Sequence, residues 1–200
     1  MDSYSAGGAG QMIAEWDECE DVYELGQMLV RRGSFSTALW REFHCRCCRN
    51  VWNFMTETSK FAVSQAERVV ANELAVSELD SLHQKMVNES DSAWSQVNAL
   101  KLPSDSQDAI WPLSDDVDEA WCSYLSAECA KVVTQAEIDA YTIPESASSL
   151  AAWATARKNA LSDHQRESRE LVEARWKTVR EEEEKRQASI LRIIVSSKSP

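Results

Sequence analysis

Apolar residues recur along this chain at the three- and four-residue spacing of one helix face. Val22, Leu25, Met28 and Leu29 form the first such stripe, in a pattern that begins near Trp16 and closes at Gly33. Arg31 and Arg32 stand in its last turn, where cations suit the helix dipole. Ser34 or Ser36 can cap a second helix running to about Trp52, with Leu39, Phe43, Cys47 and Val51 four residues apart. Residues 53–62 are mixed. From Ser64 a pattern of Val69, Val70, Leu74, Val76, Leu79, Leu82, Met86 and Trp94 runs to Asn98 without Gly or Pro, and predicts one long helix. Residues 99–114, with Pro103 and Pro112, predict a long loop. Ser114, Asp115 and Asp116 then predict a helix start, and Ala120, Trp121, Leu125, Cys129, Val132 and Val133 carry that helix to about Ala136. Residues 137–150 predict an irregular return. A last helix is expected from Leu150 to about Val195, with Val172, Trp176 and Val179 as a narrow stripe that resumes at Ile190, Leu191, Ile193 and Ile194. Between the two stretches lies EEEEKR, with Glu181–Lys185 and Glu182–Arg186 as i,i+4 pairs.

Composition points the same way. The 200 residues hold five glycines and four prolines, and no glycine follows Gly33. A β-sandwich needs Gly, Asn and Pro at frequent turns, and a doubly wound fold needs glycine at its phosphate loop. The expected class is therefore all-α: an antiparallel four-helix bundle with a long C-terminal helix appended. The organisation follows as a flexible arm over 1–15, a bundle over 16–153 and a helical extension over 154–200.

The formal charge is −12, divided into net −15 over the first 150 residues and net +3 over 151–200. The acidic balance argues against simple electrostatic nucleic-acid binding. No stretch approaches a membrane span, and the N-terminus lacks the basic and apolar regions of a secretory signal. A reducing compartment is expected, with six cysteines as thiols.

The cluster His44, Cys45, Cys47 and Cys48 invites a zinc reading. Structural zinc needs four ligands, and the second pair would have to be Cys122 and Cys129 on another helix. Cys45 and Cys48 share a face while Cys47 points elsewhere, so small buried hydrophobes are the simpler reading. A redox role for Cys45 and Cys48 lacks a surrounding βαβ pattern. There is no GxSxG and no glycine-rich phosphate loop, and His44, His83 and His164 are scattered. Asp115, Asp116, Asp118 and Glu119 read more simply as a dipole-matched helix start than as acid–base machinery. Neither enzyme activity nor a cofactor is expected. Eight tryptophans exceed what a small bundle buries comfortably, which points to self-association; Trp16, Trp52, Trp153 and Trp176 are the interface candidates.

The stretch Gly33–Trp52, GSFSTALWREFHCRCCRNVW, resembles the coat proteins of rod-shaped plant RNA viruses, above all the tobacco mosaic virus type. Phe35, Thr37 and Arg41 match that family's F-x-T-x-x-x-R element at the start of its second helix, with Arg46, Val51 and Trp52 at similar spacings. Phe35, Ser36, Ala38 and Arg41 also match the hordeivirus version. Thinner matches extend over residues 3–153: Ser3-Tyr4-Ser5, Trp16, Phe61, the Pro103 region, Asp115-Asp116, Ala120, Ser123, Glu145, Ser146, Ser148, Leu150 and Trp153.

The resemblance implies the rod-virus four-helix bundle, with subunits packed in a shallow helix and RNA in an inner groove. It places Thr37 and Arg41 near the RNA backbone, and Asp115, Asp116 and Ser123 near sugars or bases. Arginine neutralises phosphate, while short polar side chains bond 2′-hydroxyls without demanding one sequence. Departures weaken the RNA grip: Ser90, Ser92 and Cys122 stand where the family has arginines, and Asn50 and Ser77 where it has paired subunit carboxylates. The tail beyond Trp153 exceeds the family's length and is expected to decorate the rod or clasp a neighbour through Trp176 and Ile190–Ile194.

The expected function is a non-enzymatic capsid subunit that self-assembles around single-stranded RNA, found in the virion and the host cytoplasm, with no membrane partner. The rivals are a cellular α-helical adaptor without nucleic-acid binding and an enzyme built on the thiol cluster.

Overall fold

A computed structural model describes residues 16, 18–33, 35–100, 115–138, 145–162 and 169–198. The described residues form seven α-helices: α1 (Val22–Arg32), α2 (Thr37–Asn50), α3 (Glu57–Val70), α4 (Asp80–Ala99), α5 (Asp115–Thr134), α6 (Glu145–Ser162) and α7 (Arg169–Lys198). Short 3-10 turns cover Trp52–Phe54 and Val76–Leu79. The all-α expectation holds among the described residues, and none of their helices is long and apolar enough to cross a membrane. The expected arm over 1–15 and most of the expected 99–114 loop lie outside the described residues.

Local chemistry sets the first two helices. The Asp21 carboxylate caps α1, accepting from the Tyr23 and Glu24 N–H groups at 2.7 and 3.1 Å. Gly33 ends α1 in the left-handed region at φ 62°. Of the two candidate caps for α2 it is Ser36 that serves, its hydroxyl accepting from the Leu39 N–H. Val22, Leu25 and Leu29 are buried on α1, and Phe43, Cys47 and Val51 on the α2 side. Helix α2 is wrapped on several faces, because Trp40, Arg41, His44, Cys45 and Cys48 are buried as well.

Three expectations give way. The long helix from Ser64 to Asn98 is two helices, the first beginning already at Glu57. Helix α3 ends in a Schellman turn: the Glu73 N–H donates to Arg68 O at 2.8 Å and the Asn72 N–H to Val69 O at 3.0 Å, with Asn72 at φ 59°. Asparagine tolerates that conformation where most side chains do not, so the break needs no glycine. Next, the last helix is divided into α6 and α7, which pack against each other, and α6 starts at Glu145 rather than Leu150. Finally, α7 is not an appendage. Ala188, Leu191 and Ile194 are fully buried in the same core as Leu25, Phe43 and Leu150. The tail therefore clasps its own subunit: Asn50 Nδ2 donates to Glu183 at 3.1 Å, Lys185 pairs with Glu20 at 2.8 Å, and the Arg192 guanidinium donates to the Trp16 and Cys19 carbonyls.

Contacts along the central helices run in opposing chain order. On α4 and α5, His83 meets Lys131 and Thr134, Ser90 meets Glu128, and Trp94 meets Tyr124. On α2 and α5, Arg41 meets Val133 and Cys48 meets Cys129; past the end of α2, the Thr56 N–H donates to Ser126. The start of α2 thus lies at the end of α5, and the end of α4 lies at the start of α5.

Candidate functional site

The five residues expected to touch RNA fall into two separated groups. Arg41 is 2 % exposed. Its Nε donates to Val133 O at 3.1 Å and its Nη2 to the carbonyls of Gln135 and Ala136, where α5 runs out of backbone partners. A cation here satisfies orphan carbonyls and meets the negative end of the helix dipole. Burial lowers its proton affinity, though a guanidinium stays charged. The expectation that Arg41 neutralises a phosphate is corrected accordingly: its donors are turned into the protein. Thr37 is half-buried one turn before it, in the first turn of α2.

Asp115 and Asp116 open α5 and Ser123 follows two turns later, half-buried. From Asp115 to Val133 the helix rises about 27 Å. The structure does not bring the two groups into one track. At one of the family's missing arginine positions, Ser90 is buried and its hydroxyl donates to Glu128, which also pairs with Lys131. That position faces α5, so it is not a vacant phosphate site.

The thiol cluster lies in the core. Cys45, Cys47, Cys48 and Cys129 are buried and Cys122 half-buried, all as free thiols. Cys48 faces Cys129 across α2 and α5. Their mutual hydrogen bond and then burial push the Cys48 thiol well up, and burial does the same to Cys45 and Cys47. Such thiols stay protonated and unreactive. His44 is buried with its ring 5.5 Å from that of Phe43. Among the described residues no three His, Cys, Asp or Glu side chains gather as a metal set. His164 lies outside the described residues.

The tryptophans expected at an interface differ in burial. Of the four candidates, Trp16 is buried in the core. Trp52 is half-buried with Arg49 stacked at 3.8 Å, and Trp176 is half-buried with Arg180 at 5.3 Å. Trp153 is half-buried 6.0 Å from Trp121. Among the described tryptophans the exposed one is Trp94, 43 % exposed, which the sequence places in the apolar pattern of the expected long helix. It packs edge-on to Trp121 at 5.8 Å and lies 5.2 Å from Tyr124. Between the last turn of α4 and the first turns of α5 an open concavity of about 430 Å³ is lined by Gln96, Ala99, Leu100, Glu119, Ala120 and Ser123. Leu100 is exposed too.

A finer reading of periodicity exposes Trp94. The residues α4 buries are Met86, Ser90, Ala93 and Val97, and Trp94 sits one position off that stripe. One step round a helix turns a side chain by about 100°, to the edge of the α4–α5 contact, where Trp94 meets Trp121 and Tyr124 on one side and solvent on the other. In sequence, residues 87–100 and 115–130 hold Glu89, Asp91, Asp115, Asp116, Asp118, Glu119 and Glu128 and no Lys or Arg, with Lys101 and Lys131 directly after them. No family model, curated protein or solved structure matches this chain.

Proposed function

We propose that the chain is a non-enzymatic structural subunit, a coat protein that assembles into a helical rod around single-stranded RNA. The observation that carries this reading is the aromatic cluster of Trp94, Trp121 and Tyr124 between α4 and α5, with Trp94 exposed. Exposed tryptophan beside apolar surface marks contact sites between proteins. Support comes also from the resemblance over Gly33–Trp52 and from opposing contact order along α2, α4 and α5, as an antiparallel four-helix bundle requires. The partners in this reading are further copies of the chain and single-stranded RNA, in the virion and the host cytoplasm, with no cofactor. Ser123 and Gln96 line the concavity and offer short polar groups to sugars and bases.

A second reading, a cellular α-helical adaptor without nucleic-acid binding, is favoured by the burial of Arg41, which takes a cation away from any phosphate. Negative-stain microscopy of the purified full chain, with and without single-stranded RNA, separates the two. Uniform rods or stacked discs that protect RNA from nuclease are the expected result. Single particles under every condition overturn the capsid reading, and rods that take up no RNA overturn its nucleic-acid half.

A further inference from the structure

Helix α7 is seated on α1 and α2 by a mixture of apolar and polar contacts. Ala188, Leu191 and Ile194 enter the core, but so do Glu183 and Gln187, both buried. Asn50 of α2 donates to one Glu183 oxygen at 3.1 Å, and Arg186 approaches the other at 3.4 Å. Further polar ties run along α7: Arg180 to Glu145, Lys185 to Glu20, and Arg192 to the Trp16 and Cys19 carbonyls. Cys47, one turn before Asn50 on α2, is buried close enough to Glu183 to feel its charge. Its neighbour Cys48 instead meets Cys129 of α5. These adjacent thiols thus report on different helices, Cys47 on α7 and Cys48 on α5.

We propose that α7 is a clasp that opens as a unit from α1 and α2, and that protonation of Glu183 sets how often it opens. Neutral, the carboxyl sits in the core at modest cost. Ionised, it lacks its hydration, and the Asn50 amide and the largely exposed Arg186 return only part of it. Burial accordingly raises the Glu183 pKa. Lifting α7 returns water to the charge, so opening is favoured as pH rises through the raised folded value. The other charged and titratable groups at this seat are engaged elsewhere. On α2, Arg46 pairs with Glu42 and Arg49 with Glu67. Tyr23 of α1 and Glu145 of α6 meet Arg180 one turn earlier, and Glu20 meets Lys185. Single helices open at free energies below that of global unfolding, which makes such a clasp compatible with a folded body. The inference is independent of RNA and of self-assembly.

Labelling the thiols of the folded full chain with iodoacetamide, from mildly acidic to mildly basic pH, tests it. Tandem mass spectrometry reads Cys47 and Cys48 separately. Each rate is divided by that of the urea-unfolded chain at the same pH, which removes the ionisation of the thiol itself. Cys47 should label several-fold faster than Cys48. The ratio should grow with pH and level off once Glu183 is ionised in the seated form too. Glu183→Gln keeps an acceptor for Asn50 and should abolish that growth. Amide exchange of the parent alone gives an independent check: protection along α7 should fall with rising pH while that in the second half of α5 holds. Cys47 and Cys48 labelling at one rate, or α7 and α5 losing protection together, means the whole chain opens and overturns the clasp. A Cys47 excess whose pH dependence survives in Glu183→Gln overturns the assignment to Glu183.

Discussion

Two regions along α5 meet opposite surroundings. Its C-terminal half is covered by α2, α3 and α4, and there Ala130 and Val133 are fully buried. Even the polar groups of that region are matched: the last carbonyls receive Arg41, and Thr134 bonds to Ala130 O. Its N-terminal part carries Trp121 and Tyr124 under a ring, Trp94, that remains open to solvent. The covered region governs whether the chain folds, while the uncovered one governs what the folded chain meets.

The sharpest contrast sets Leu191 against Trp94. Leu191→Ala removes a fully buried side chain from the helix once expected to be an appendage, and should cost about 2–5 kcal/mol in denaturant unfolding. Trp94→Ala, although a larger truncation, should cost only about 1 kcal/mol, because the ring is already partly in water. Comparable losses for the two would dissolve the distinction, and a negligible loss for Leu191→Ala would return α7 to an appended role.

Arg41 comes next. Arg41→Ala leaves three carbonyls at the end of α5 without their donor and should lower stability by about 2–3 kcal/mol. Unchanged stability with a loss of bound RNA would return Arg41 to the ligand side.

The smallest effect concerns Glu183, 1 % exposed yet drawn from the EEEEKR run. Burial raises its pKa; bonds from Asn50, Arg186 and Gln187 pull the other way without cancelling it. The folded state then holds this proton more tightly than the unfolded chain does. Stability should fall as pH rises from the ordinary carboxylate range through the raised folded value. Glu183→Gln, which keeps an acceptor for Asn50, should flatten that decline and raise Tm near neutral pH. Matching pH profiles for parent and variant would mean the carboxylate is not desolvated.

These residues also mark what sequence patterns can carry. Helices α1, α2 and α5 are legible because their caps and stripes are local: Ser36, Gly33, and the buried residues Val22, Leu25 and Leu29. The break after α3 is hidden because Asn72 takes the left-handed position usually marked by glycine. A charge run looks solvated as a block, yet one of its four glutamates turns inward to meet Asn50 from α2. The candidate RNA residues look like one set in the chain. Only the pairing of α2 with the far end of α5 separates them, and spacing within a helix carries no record of that pairing. Trp94 needed a distinction of one position on α4, which depends on knowing that the stripe runs through Ser90 and Ala93.

The placement of Arg41 has a consequence at the scale of the whole molecule. With a cation fixed at the finish of α5 and acids gathered at its start, the side-chain charges line up against the peptide dipoles of that helix. The fold is favoured locally, and the formal charges are left polarised along the axis. Along α5 these formal charges make a dipole opposed to that of the peptides, and salt confines its reach to about a Debye length from either end.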